Sequence, residues 1–172
     1  LPVVVELVGK AHAERALAID PKNAAALEAR GTLRYMRYLF HLEPDPRAAR
    51  ELLASAESDL KASTAIDASR AGAWNTLSHL YAQIPNFTDA KLAAQRAYES
   101  DAYLSFAPDV LWRLYASSYE LEQFTDAVHW CDEGQRRFPD NSQFVRCRLL
   151  LLTTNVQPPD PAAAWKLVDA LH

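Results

Sequence analysis

Glycine is scarce in this chain: four residues of 172. A phosphate-cradling loop needs clustered glycines that let the backbone approach the anion, so nucleotide loops of that kind are nearly excluded. Long helices are favoured instead, because an interior Gly costs about 1 kcal/mol against Ala. Long apolar runs are also missing. The longest, Leu149 to Leu152, falls far short of the roughly 20 residues needed to span a bilayer, and Leu1 to Val8 lacks a basic leader. No membrane partner is expected. Basic residues are not in excess, since 18 against 22 acidic ones leave a net charge of -4. That field offers nothing to a phosphate backbone, so nucleic acid is not expected either. Cysteine is limited to Cys131 and Cys147, on predicted helices and without metal-ligand spacing. Reduced, partly buried thiols and a cytoplasmic setting are the expectation.

What is present is ordinary for a soluble globular protein, with 49% hydrophobic and 23% charged residues. A chain of this length can bury roughly 70% of the surface its unfolded form exposes. Arg outnumbers Lys in an Ala-rich background, a composition that points to a GC-rich bacterial source. The chain opens with Leu1 rather than Met, and its first helix lacks the partner that a complete hairpin would supply. An excised fragment of a larger protein is expected.

Helical periodicity runs through the whole chain, and punctuation marks its breaks. Pro2 suits a first helical turn despite the β-branched Val3 to Val5 that follow, and Asp20-Pro21 ends that first helix near Ile19. A second helix starts after Asn23 and continues through Leu39-Phe40. Asp45 reads as an N-cap, with Pro46 opening a third helix to about Ile66. Helices follow over about 70–83, 87–101, 108–120, 124–137 and 142–154. Asp160-Pro161 starts a last one, whose Trp165, Val168 and Leu171 share a face. These nine helices alternate with short connections, which forces antiparallel hairpins.

Within this series one unit recurs. Trp74, Leu77, Ser78 and Tyr81 precede Phe87, Ala90, Ala94 and Ala97; the same spacing returns at Leu111, Leu114, Tyr115, Phe124, Ala127 and Cys131, closing at Pro139. The steps against a 34-residue period are 34 from Leu111 to Val145, 37 from Trp74 to Leu111 and 47 from Leu27 to Trp74. The three extra residues of the middle step are expected in the 105–109 loop. The thirteen extra residues of the first step are expected in an elongated 36–51 hairpin that projects from the stack.

This unit resembles the tetratricopeptide repeat (TPR), whose pattern is W-x2-L-G-x2-Y, then A-x3-F, then P. Trp74, Leu77, Ser78 and Tyr81 match its first half, and Ala90, Ala94 and Ala97 its second. Around Leu27, Gly31 holds the small slot while Arg30 and Arg34 stand where apolar residues are usual; the second helix of that unit returns at Ala56, Leu60 and Ile66. The fold class implied is all-α, an α-solenoid of stacked antiparallel hairpins. A single domain covers 1–172, with units at about 1–22 (partial), 23–69 (elongated), 70–106, 107–141 and 142–172 (a degenerate cap). The runs Ala73 to Ser78, His129 to Asp132 and Arg137 to Pro139 further resemble repeat regions downstream of some bacterial serine/threonine kinases. That resemblance implies a regulatory arm of a larger protein.

No catalytic constellation emerges. The five histidines are scattered, without an HExxH motif, a Cys-x-x-Cys pair or a calcium loop, so no metal or cofactor is expected. His129 and Cys131 stand two apart on one helix and point in different directions, as do Glu120 and Glu122. Asn86-Phe87-Thr88 fits a glycosylation sequon, yet Asn86 stands where a helix needs its N-cap.

In a TPR-like stack the first helix of each hairpin lines a concave groove. The residues one step around from the packing face are Glu28, Thr32 and Tyr35; Asn75, His79 and Gln83; Trp112, Ala116 and Tyr119; and Arg146. Trp112 is either a groove anchor or filler between hairpins. The clamp by which some family members hold a chaperone's terminal carboxylate has Lys and Asn where this chain has Glu28 and Thr32, with Asn75 and Arg113 only near the pattern. Chaperone tails are therefore not expected. The function expected is a non-enzymatic protein-protein interaction module that binds a peptide or helix of a protein partner. The alternative is self-association, or packing on a neighbouring domain as an intramolecular partner. Trp74 is expected to fill the space between hairpins, and Trp74→Ala should cost about 3 to 5 kcal/mol, read as a lower midpoint in thermal or denaturant unfolding.

Overall fold

The computed structural model describes residues 2–101, 106–156 and 160–169, with side chains from residue 9 onward. Among them are nine helices and no strand: α1 (Pro2–Ile19), α2 (Ala24–Leu39), α3 (Pro46–Ile66), α4 (Ala71–Gln83), α5 (Phe87–Ser100), α6 (Ala107–Glu120), α7 (Phe124–Arg137), α8 (Ser142–Leu151) and α9 (Pro161–Asp169). Leu171, expected on the last helix's buried face, lies outside the described residues, as does the Ser105 end of the expected loop insertion.

Short polar side chains set the helix starts. Asn23 accepts the Ala26 N–H at 3.0 Å, Asp45 the Arg47 N–H at 3.1 Å, Asn141 the Gln143 N–H at 3.0 Å and Asp160 the Ala163 N–H at 3.0 Å. Asn86 caps α5 through the Asp89 N–H at 3.3 Å. Each bond satisfies an amide that the first helical turn leaves open. The inner helices close by a second device. At the end of α6, Gln123 N–H reaches Ser118 O at 2.8 Å and Glu122 N–H reaches Tyr119 O at 3.0 Å, with Glu122 in the left-handed region at φ 56. The end of α2 repeats this with Leu42 on Arg37, His41 on Tyr38, and His41 at φ 53. Both are reversals that turn the chain straight back into the next helix. Helix α8 stops at Leu151, three residues before the expected Thr154, because Thr153 and Thr154 N–H groups bond only three residues back, to Leu150 and Leu151.

Consecutive helices pack as hairpins, and the hairpins stack in register. Helices α2, α4, α6 and α8 each touch the next in that series, whereas α1, α3, α5 and α7 do not approach one another closely. The layer whose members touch is the shorter one, so the solenoid curves with α2, α4, α6 and α8 on its concave side. Long side chains bridge the splayed outer layer. Lys91 Nζ on α5 donates to Asp126 on α7 at 2.6 Å, and Tyr98 Oη donates to Glu133 at 3.2 Å.

The core follows the stack as successive clusters. One gathers Tyr35, Ala56, Leu60, Leu77, Leu80 and Tyr81; the next gathers Val110, Leu111, Leu114, Tyr115, Cys131 and Phe144. Trp74 packs against both and donates its indole N–H to Ala68 O at 2.9 Å. The elongated unit is visible in helix length, since α2 has 16 residues and α3 has 21 where α4 has 13 and α5 has 14.

Several expectations need correction. Cys131 and Cys147 are not free thiols: they form a disulfide between α7 and α8, with Cα atoms 6.0 Å apart and both residues fully buried. The spacing of 16 residues crosses a helix-turn-helix, and only the antiparallel packing of α7 on α8 brings the two sulfurs together. Trp165 is 69% exposed. Helix α9 instead turns Ala163, Ala164 and Leu167 inward beside the partly buried Val168.

Arg30 and Arg34 occupy usually apolar places because a buried acid receives them. Asp59 on α3 is 6% exposed; it accepts Arg30 Nε at 2.8 Å, Arg30 Nη2 at 2.7 Å and Arg34 Nη1 at 2.6 Å. The bonds to Asp59 hold the Arg30 guanidinium above its ordinary pKa. Removing the shared acid strands two partly buried cations, so Asp59→Ala should lose about 3 kcal/mol in denaturant unfolding.

Candidate functional site

The inner wall is a ladder of side chains between adjacent inner helices. Arg70, which precedes α4, donates to Glu28 on α2 at 2.6 Å. One turn further along α2, Thr32 and Thr76 hydroxyls meet at 3.4 Å, and a turn beyond that the Tyr35 ring meets the His79 ring edge-on at 5.5 Å. On the far side of the wall Tyr119 on α6 meets the Thr153 hydroxyl at 3.2 Å. Every one of these rungs joins one hairpin to the next.

The residues expected to face the groove divide by what holds them. Glu28 and Thr32 are engaged in rungs, and Tyr35 is 2% exposed, its ring filling the space between α2 and α4. Asn75, His79, Ala116 and Tyr119 are partly buried, whereas Gln83 and Arg146 are exposed. Gln83 stands 3.4 Å from His79 Nε2, one turn back on the same helix. Trp112 is partly buried, leaning on Tyr115 with ring centroids 5.1 Å apart and packing against the second core cluster.

One residue here was not among those expected. Arg113 on α6 is partly buried, its Nε is shielded from solvent, and that nitrogen has no hydrogen-bond partner. Tyr35 Oη is in the same condition. The guanidinium charge acts on both Tyr35 and His79, whose rings meet edge-on. Burial is the main cause of all three shifts. It pushes the Tyr35 phenol up to about 12, pushes the His79 imidazole below its usual value with help from the Arg113 charge, and lowers the Arg113 guanidinium. At neutral pH the cluster therefore presents one cation, a protonated phenol and a neutral imidazole. Sequence reasoning reached Arg113 only as a near match to a family clamp; its missing partner is a tertiary fact.

No protein-family model matches this chain, and no curated protein matches it in sequence. Solved structures do match in fold. A crystal structure of MamA shares 18% identity over 92% of this chain and 80% of its own, with a TM-score of 0.68. YrrB, described as a TPR protein with an unusual peptide-binding site, shares 14% identity over 92% of this chain and 72% of its own, with a TM-score of 0.66. TTC0263, a thermophilic TPR protein in Thermus thermophilus, shares 15% over 83% of this chain and 71% of its own, with a TM-score of 0.63. At such identities the likeness establishes the fold, a TPR-like α-solenoid.

His79 supplies a pH test. Its folded pKa lies below the ordinary 6.5, so the unfolded chain takes up the proton first, and stability is complete above about 6.5 and falls as pH drops below it. His79→Gln should flatten that part of the stability-pH curve, and NMR titration of the His79 ring should give a midpoint below 6.5.

Proposed function

We propose that the concave wall of α2, α4, α6 and α8 binds an extended peptide or helix of a protein partner, and that the chain acts as a scaffold or regulatory arm rather than as an enzyme. The observation that carries this reading is the curvature itself. Inner helices that touch while outer helices splay leave one long recessed surface, and among the described residues it shows aromatic edges rather than a catalytic constellation. A peptide-binding site in YrrB, a neighbour in fold, supports the same reading.

Within the wall, the contacting surface consists of Asn75, His79 and Gln83 on α4, of Trp112, Ala116 and Tyr119 on α6, and of Arg146 on α8. Glu28, Thr32 and Tyr35 shape the α2 end from behind. Aromatic and Arg side chains at the centre of a recess are the composition of an interaction hot spot. The neighbouring kinase domain rests on three short runs of sequence alone, and remains the proposed context for a regulatory arm. The cytoplasmic setting loses its original argument, since the thiols that suggested it are joined, and disulfides persist chiefly in oxidising compartments. No helix among the described residues is long and apolar enough to cross a membrane.

Peptides selected from a random dodecapeptide library should bind the wild-type chain and lose at least tenfold in affinity, about 1.4 kcal/mol, to the double variant Trp112→Ala, His79→Ala. Titration calorimetry on both proteins reads this directly. Undiminished binding removes the groove and shifts the role to the α9 end, where Trp165 is 69% exposed, the surface on which self-association or a neighbouring domain would draw.

A further inference from the structure

A cleft of about 340 Å³ opens between α1 and α3, with α2 as its floor. The corresponding cleft one hairpin along, between α3 and α5, measures about 250 Å³ and has Leu77 and Tyr81 on its α4 floor. In the first cleft those two places of the repeat hold Arg30 and Arg34, joined on the same helix face by Arg37, with Leu33 among them. Three arginines in place of an apolar floor give up packing between hairpins. A chain that breaks a local packing rule in this way commonly does so at a working site.

The acids on the floor are unequally shared. Asp59 receives Arg30 through two donors, Nε at 2.8 Å and Nη2 at 2.7 Å, but Arg34 only through Nη1 at 2.6 Å. Arg37 reaches Glu43 at 3.2 Å. Three guanidiniums thus meet two carboxylates, and Arg34 has the smaller share of an acid. Its side chain is 32% exposed in the cleft, and Asp59 engages one donor of its fork among the described residues, so other donors remain for a group that enters. At the mouth, Lys10 and Glu14 stand 3.9 Å apart, both more than half exposed, and Glu51 is exposed on α3. Glu14 also acts on Arg30. With these the cleft is neutral as a whole, but the mouth charges are screened by water, and the excess positive charge lies on the floor.

We propose that this cleft is a small-molecule site, separate from the concave wall, for a monocarboxylate with a short apolar body. The carboxylate lies on the Arg34 fork, which matches its planar geometry, and the body lies against Leu33, Ala48 and Leu52. The volume falls within the range of small-ligand sites, which begins at about 300 Å³. One charge suits the floor because one guanidinium is in excess there. A phosphonate dianion would bring a second negative charge toward Glu43 and Asp59 with no further cation to meet it.

The test titrates sodium hexanoate, hexanamide and hexylphosphonate against the full chain, read by NMR of the arginine Nε–H signals. Hexanoate should move the Arg34 signal to saturation with a Kd in the millimolar range. Hexanamide should bind at least about tenfold more weakly, and hexylphosphonate no more tightly than hexanoate. Arg34→Met leaves Asp59 both bonds from Arg30, so the variant should fold and lose at least about tenfold in hexanoate affinity. Ala48→Glu puts a repelling acid on the α3 wall without touching the Asp59 bonds, and should lose as much even if Arg34→Met fails to fold. A hexanoate shift that never saturates, equal binding of the amide, tighter binding of the phosphonate, or full affinity in either folded variant would overturn the assignment. None of these results bears on the peptide groove.

Discussion

Close approach between helices is the constraint on which this structure depends, and very small residues make it possible. Ala56, Ala73, Ala90, Ala94, Ala97 and Ala127 are all completely buried at helix contacts. Two glycines stand at tight contacts between helices. A methyl group on Gly31 would come 2.8 Å from Leu60, and one on Gly134 would fall against the Phe144 ring. With backbones this near, Trp74 and Tyr115 need only fill the residual gaps between hairpins, and inner helices can touch while outer ones spread. Curvature, and with it the recessed wall, follows from where small side chains were placed.

Charge is treated in two opposite ways on this frame. At the α2–α3 contact two arginines converge on Asp59, so a buried polar network replaces an apolar seam and every strong partner is engaged. On α6 the Arg113 Nε is shielded and makes no hydrogen bond, with the Asp109 charge one turn back as the acid that acts on it. The first arrangement joins the two helices of one hairpin; the second leaves a buried donor unpaired.

Much of the fold was legible because its signals are local. Asn23, Asp45-Pro46, Asn86 and Asp160-Pro161 announce helix starts through atoms two or three residues away, and the Trp74 to Ala97 spacing announces the hairpin. Facts that depend on one helix sliding along or meeting another were not legible. The Thr32 and Thr76 hydroxyls that meet are 44 residues apart, about one turn less than the 47 separating Leu27 from Trp74. A shift of one turn keeps the same face buried, so the apolar pattern cannot report it. The Asp59 knot and the joining of Cys131 to Cys147 are likewise meetings across helices. For the inner helices, periodicity gives which positions stand one step from the packing face, but not that Tyr35 is buried because α2 and α4 close over it.

An array of this kind holds together by nearest-neighbour interfaces, and its ends are ordinarily where it unravels. The covalent link between α7 and α8 changes that symmetry. The α7–α8 interface is tied by a bond that thermal motion does not open, while the α1–α2 interface rests on noncovalent packing that includes Ala13 and Leu17. Local opening is thereby restrained covalently at the α8 side of the recessed wall, whereas its α2 side relies on packing and ion pairs.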